Sequence, residues 1–213
     1  MEIYNTNLQD DVLNIIANLK NYIKIPVGVS NKHVHLTRHD YDILFPGESM
    51  NMKKKLNQGD DFASDKLVTL IGPKGKMERV RILGPCRKYS QIELSMTDAR
   101  ALGISAPIRL SGNIEGTPGI KIQSPHAELT LDKGVIIAKR HIHVQSDDAR
   151  LLGLHNGQNV VVKIESAERS AYLDDCEIRV GDDFTLEMHI DTDEGNSVGA
   201  ESDSTARIVN LEG

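Results

Sequence analysis

The sequence predicts a mainly β protein, a barrel or sandwich in two related halves with one amphipathic helix in front. Three observations predict it. From residue 25 onward the chain breaks into short apolar runs punctuated by Gly, Pro, Asn and Asp; a helix-then-strand segment occurs twice; and a His-x-His spacing occurs twice.

Residues 9 to 23, "QDDVLNIIANLKNYI", place Val12, Ile15, Ile16, Leu19 and Ile23 at helical spacing, with Asp10 and Asp11 suited to the first turn. This is the amphipathic helix. It is expected to pack on the first domain, because no Gly/Pro linker separates it from "IPVGVS". The other reading is a detachable tag that docks on a partner or shell.

The runs "IPVGVS", "KLVTLIG", "ERVRILG", "SQIELS", "APIRLSG", "GIKIQS" and "GVIIAKRHIHV" then read as strands. "IGPKGKMERV" reads as a hairpin around Pro-Lys-Gly. "MTDARALGISAPIRL" (96–110) is echoed by "SDDARLLGLHNGQNVVVKI" (146–164); each reads as an Asp-capped helix that ends at Gly and feeds a strand. "TRHDYDILF" also reads as a short helix behind a His strand, so the halves are expected to meet near residues 115–135.

Composition excludes several functions. A formal charge of −6 over 213 residues argues against nucleic acid as the main partner. No apolar run approaches a membrane span. "MEIYNTNLQDD" lacks the basic and apolar regions of a secretory signal, so a cytoplasmic location is expected. Cys86 and Cys176 lack CxxC spacing; the expectation is inert core thiols rather than a disulfide framework. Lys53, Lys54 and Lys55 form the one strong basic run and read as a solvated loop.

The chemistry lies in "SNKHVHLT" (30–37) and "AKRHIHVQ" (138–145). On a strand, residues i and i+2 share a face, so both imidazoles of a pair reach one ion while Val or Ile between them faces the core. Eight histidines in 213 positions give about 0.3 such pairs by chance, so two in matching contexts carry weight. Imidazole suits Zn, Fe, Ni and Cu alike, and a catalytic zinc needs a third protein ligand per pair. Candidates are His189 in "TLEMHIDTDE" and Glu93 in "SQIELS", although Glu93 reads equally well as its strand's solvent-facing residue. His39, His126 and His155 stand alone in polar surroundings and read as solvated. Arg87, six residues before Glu93, suits a phosphate or carboxylate, or is a plain surface arginine.

Together, "IPVGVSNKHVHLT", "VTLIGPKGKMERVRILGP", "SQIELSMTDARALGISAPIRLSGNIEGTPG", "GVIIAKRHIHV" and "LEMHIDTDEGN" resemble the PduL-type phosphotransacylases, the phosphate propanoyltransferase family, over nearly the whole chain after residue 24. The resemblance implies two β-barrel domains capped by short α-helices, with a dinuclear zinc site between them. The expected division is 1–24 for the helix, 25–125 for the first barrel and 126–213 for the second. It further implies one zinc on His33, His35 and Glu93 and another on His141, His143 and His189. Arg87 matches the phosphate-contacting arginine, and Ser111 matches a serine lining the site. Ser30, Lys54, Arg81, Leu83 and Asn196 match coenzyme A contacts. "LNQGDDFA" departs from the family, with Gly-Asp where Pro-Gly is usual.

The implied reaction is short-chain acyl-CoA, propanoyl or acetyl, plus phosphate to acyl phosphate plus CoA, reversibly, by direct attack of phosphate on the thioester. An acyl-Cys86 route is the competing mechanism, since the adjacent Arg87 would favour a thiolate. Family members serve propanediol utilisation inside bacterial microcompartments or stand free in the cytoplasm, and a homodimer is the default assembly. Two readings from other classes stay open: a metal-stabilised β-barrel scaffold without activity, and a His/Glu metal oxygenase.

Overall fold

The computed structural model describes residues 5–19 and 21–209. It is mainly β. In chain order the elements are α1 (Asn5–Leu19), β1 (Ile25–Ser30), β2 (His33–His35), α2 (Arg38–Leu44), β3 (Met52–Lys55), β4 (Phe62–Ile71), β5 (Lys76–Gly84), β6 (Gln91–Leu94) and α3 (Met96–Leu102). There follow β7 (Ile108–Arg109), β8 (Ile120–Gln123), β9 (Glu128–Leu131), β10 (Val135–Ala138), β11 (His141–Val144) and α4 (Ser146–Leu152). The last are β12 (Asn159–Glu165), β13 (Ala171–Val180), β14 (Glu187–Asp191), α5 (Thr192–Ser197) and β15 (Thr205–Val209).

Two compact units form. One comprises the described residues of 1–29, 140–190 and 194–213, the other 30–139 and 191–193. The first is a closed barrel in the order β1-β14-β11-β13-β12-β15. The second is a sheet in the order β7-β10-β6-β2-β5-β4-β8-β9, with β3 added to β4, that curls into a half barrel. Its end strand β7 is only two residues long, which limits the exposed edge.

These limits differ from the expected 1–24, 25–125 and 126–213. Strand β1 reads like the start of the first barrel, yet it pairs with β15, Ile25 opposite Ala206, and so joins the C-terminal strands. Helix α1 follows it: it packs beside α4, and Leu19 and Ile23 lie on the closed barrel's core. The helix begins and ends four residues earlier than expected, and Val12 and Ile15 of its apolar face are exposed. The Ile16 side chain lies outside the described residues. At the other boundary, β8, β9 and β10 stay with the half barrel, since β8 pairs with β4 and β10 with β6.

Each unit has its own core. Ile142, Val162, Ile164, Ile178 and Met188 fill the closed barrel; Val34, Leu36, Leu70, Ile82 and Ile92 fill the half barrel. Ile142 and Val34 are the residues between the paired histidines, and both are completely buried. Burial of one such side chain contributes roughly 1.5–3 kcal/mol, enough to hold the strand with its histidines on the opposite face.

The echoed segments are α3 and α4. Both end in a left-handed glycine, Gly103 (φ 76°) and Gly153 (φ 62°), where a Cβ would be strained. Their caps differ from the expected Asp: the Ser95 hydroxyl accepts from the Asp98 N–H, and the Gln145 side chain accepts from Asp147 and Asp148 N–H. The aspartates sit inside the first turn, where their charge favours the helix N-terminus. Thr37 caps α2 in the same way. The predicted hairpin is β4–β5, with Ile71 opposite Lys76. Among the described residues no helix is long and apolar enough to cross a membrane.

Candidate active site

Among the described residues, two groups of side chains could hold a metal: His33, His35 and Glu93 in the half barrel, and His141, His143 and His189 in the closed barrel. Within each group the ligand atoms lie within 4.8 Å of one another. The same backbone frame produces both. In the half barrel β2 runs antiparallel to β6, with His33 opposite Glu93 and His35 opposite Gln91. In the closed barrel β11 runs antiparallel to β14, with His141 opposite His189 and His143 opposite Glu187. On its other side each His strand has a parallel neighbour, β5 or β13. All four strands that carry these side chains run within three residues into a short helix, α2, α3, α4 or α5.

In the half barrel, His33 Nδ1 donates to the Asn31 carbonyl at 2.8 Å, which leaves Nε2 toward Glu93 Oε2 at 3.6 Å. His35 Nε2 stands 4.0 Å from Glu93 Oε1. Burial opposes charge on Glu93, but His33, His35 and Arg87 more than offset it, and the carboxyl is held far below the ordinary range as an anion. Burial lowers the His33 pKa, the Glu93 carboxylate outweighs it, and the net shift is upward. His35 is pushed well down by burial, then by His33 and Arg87.

The closed-barrel group is all imidazole. Ring centroids are 4.6 Å apart for His141–His143, 5.2 Å for His141–His189 and 4.8 Å for His143–His189. Glu187 Oε2 lies 2.8 Å from His189 Nε2 and fixes that ring. Burial, then the His141 and His189 charges, lowers His143 to about 2, so it is a neutral donor.

Both groups fit a divalent ion. The donors, two imidazoles and a carboxylate or three imidazoles, are those of three-ligand zinc sites. Each group also holds one buried ring nitrogen, Nδ1 of His35 or of His143, that makes no hydrogen bond. Such an orphaned group is costly and calls for a ligand.

Arg87 sits beside the half-barrel group. Its backbone N–H donates to the Leu36 carbonyl just past the His strand, at 2.8 Å. Its Nη2 donates to Asp61 Oδ2 at 2.7 Å and Nη1 to Ser111 Oγ at 3.2 Å. Ser111 also accepts from Gln91 Nε2 at 2.8 Å, and the same nitrogen donates to Glu93 Oε1 at 2.7 Å. Arg87, Ser111 and Glu93 are therefore brought together. Sequence reading missed Gln91, Asp61 and Glu187. Gln91 and Glu187 share one signal, a polar residue two places before a candidate ligand on the same strand face, whereas Asp61 gave none.

Of the remaining expected residues, Lys54, Arg81 and Leu83 are gathered on β3 and β5: Lys54 and Leu83 both pair with Ala63, and Arg81 pairs with His33. Arg81 Nη1 donates to the Ser64 carbonyl at 2.9 Å. Ser30 is half-buried at the end of β1, and Asn196 is exposed on α5. Cys176 is fully buried. Burial raises the Cys86 thiol pKa, outweighing Arg38, and the Arg87 guanidinium is directed to Asp61 and Ser111. His39 and His155 are exposed, as is His126, which pairs with Glu48 at 2.6 Å.

The family model for phosphate propanoyltransferase matches residues 26–201. The chain belongs to the phosphate propanoyltransferase family. It is an acyltransferase. It is 51% identical over 187 residues to the phosphate propanoyltransferase of Escherichia fergusonii, covering 87% of this chain and 89% of that one. It is 52% identical over 186 residues to that of Salmonella typhimurium, covering 87% and 89%. Against that of Salmonella arizonae it is 48% identical over 200 residues, covering 94% and 95%. Membership favours catalysis over the scaffold and oxygenase readings.

Proposed function

We propose that the chain transfers a propanoyl group, and an acetyl group by the same route, between coenzyme A and phosphate, with two zinc ions, one on His33, His35 and Glu93 and one on His141, His143 and His189. The observation that supports this reading is the hydrogen-bonded chain from Glu93 through Gln91 and Ser111 to Arg87, which links a guanidinium to the group of His33, His35 and Glu93.

Arg87 binds phosphate and Ser111 donates to it. With Nη2 fixed on Asp61, the fork is oriented before the anion arrives, and its other N–H groups take phosphate oxygens. A phosphate oxygen so held attacks the thioester carbonyl; the C–O bond forms, the C–S bond breaks, and coenzyme A leaves as a thiolate that takes up the proton phosphate gives up. When bound, divalent ions at these donor sets supply Lewis acidity that offsets the phosphate charge and the developing oxyanion. Lys54, Arg81 and Leu83, on β3 and β5 of one sheet, are the coenzyme A contacts of the half barrel. The raised Cys86 pKa favours direct attack over an acyl-cysteine. The exposed Leu8, Val12 and Ile15 on α1 suit a chain enclosed in a microcompartment.

Phosphate-dependent thiol release from propanoyl-CoA and acetyl-CoA tests the reading. We expect turnover in wild type, none in Arg87→Ala, and wild-type rates in Cys86→Ala. Thiol release independent of phosphate contradicts it.

A further inference from the structure

We infer that Gln91 is a positioning residue that sets both the metal-ligating oxygen of Glu93 and the proton of Ser111; the inference rests on the proposed role of Glu93 as a metal ligand. Gln91 is completely buried, yet it sits beside the His strand where an apolar residue would pack more cheaply. Every polar atom of its amide is used. Nε2 donates to Glu93 Oε1 (2.7 Å) and Ser111 Oγ (2.8 Å), and Oε1 accepts from the Gly112 N–H (2.7 Å). The partners fix the amide's orientation, because an anionic carboxylate accepts only and a backbone N–H donates only.

Two consequences follow. Gln91 holds Glu93 Oε1, which turns the carboxylate so that Oε2 faces His33 and presents its lone pairs to an ion. Ser111 Oγ receives hydrogen bonds from both Gln91 and Arg87, which fills its two acceptor sites. Its own proton is then directed outward, beside the Arg87 fork, to donate to phosphate. One buried amide thus couples the ligand carboxylate to the anion site. Outer partners of metal ligands are worth about 10–100-fold in affinity, which is the scale expected here.

The test uses the full chain, stripped of metal and titrated with zinc against a chromophoric chelator, with phosphate KM and kcat measured in parallel. Gln91→Met keeps the volume and removes the amide. We expect it to weaken one zinc site by about 10–100-fold, leave the other unchanged and raise the phosphate KM. Ser111→Ala leaves the amide in place; it should raise the phosphate KM with both zinc affinities unchanged, and Gln91→Asn, which keeps the amide but shortens its reach to Glu93, carries the zinc test should Gln91→Met not fold. Glu93→Ala is the control and should lose one zinc. Wild-type zinc affinities in Gln91→Met with one zinc lost in Glu93→Ala overturn the role of Gln91 alone, whereas an unchanged phosphate KM in Ser111→Ala overturns the proposed phosphate contact of Ser111 together with its positioning by Gln91. Two zinc ions retained in Glu93→Ala overturn the metal reading itself.

Discussion

In the half barrel His33 faces Glu93 and His35 faces Gln91; in the closed barrel His141 faces His189 and His143 faces Glu187. Each four-residue frame holds one carboxylate, but in different corners. Glu93 is itself within the donor group, with a neutral amide behind it. Glu187 stands behind an imidazole and orients it. The difference teaches that strand pairing dictates where donors can be, while the residue two places before the third candidate donor decides how that side chain is held. The group with the inner carboxylate is also the one hydrogen-bonded through Gln91 and Ser111 to Arg87.

The largest effects should come from removing a donor in either frame. His35→Ala and His143→Ala should each lower the rate of phosphate-dependent thiol release by at least about 10²–10³-fold, the scale of losing one electrostatic stabiliser. Full activity in one of them would mean that frame takes no part.

Exchanging the corner charges should separate the two frames. Gln91→Glu puts a second carboxylate 2.7 Å from Glu93 in a fully buried place and should cost about 3–5 kcal/mol in chemical denaturation. Glu187→Gln keeps an acceptor for His189 and should cost less than about 1.5 kcal/mol. Equal costs would erase the distinction.

A smaller, one-sided effect should follow from Gly28→Val. A Cβ at Gly28 comes 3.3 Å from Glu187 Oε1 and 3.5 Å from His189 Cδ2, so added methyls crowd only the closed-barrel group. About 1–3 kcal/mol of stability and a weaker zinc site there are expected, with the half-barrel site unchanged on zinc titration.

The smallest effects should lie at exposed carboxylates. Hydrogen bonding from Lys66 depresses the Glu48 pKa in one unit; hydrogen bonding from Lys163, then Arg207, depresses Glu165 in the other. A depressed carboxyl stabilises the fold above its unfolded pKa, and that contribution fades as pH falls through the folded value. Glu48→Gln and Glu165→Gln should therefore lower the melting temperature by no more than about 2–4 °C at pH 7, and by less as pH falls below 4.5, in thermal scans.

The paired histidines were legible as candidate ligands because a strand's period of two puts His-x-His on one face whatever the strand pairs with. The capping helices were legible from local chemistry, Gly103 and Gly153 above all, although the caps proved to be Ser95 and Gln145. What pairing at long range decides was not legible. Strand β1 closes a barrel with β15, about 180 residues away, so no local signal could assign it. Gln91, Asp61 and Glu187 gain meaning only from what the register or a loop brings opposite them. Glu93 was ambiguous alone and became a candidate ligand once β6 was placed against His33.

Zinc stoichiometry of the purified chain, in wild type, Glu93→Ala and His189→Ala, tests the central claim most directly. The account predicts two zinc ions per chain in wild type and one in each variant. A single ion in wild type, or both ions lost together in either variant, would contradict two separately built donor sets.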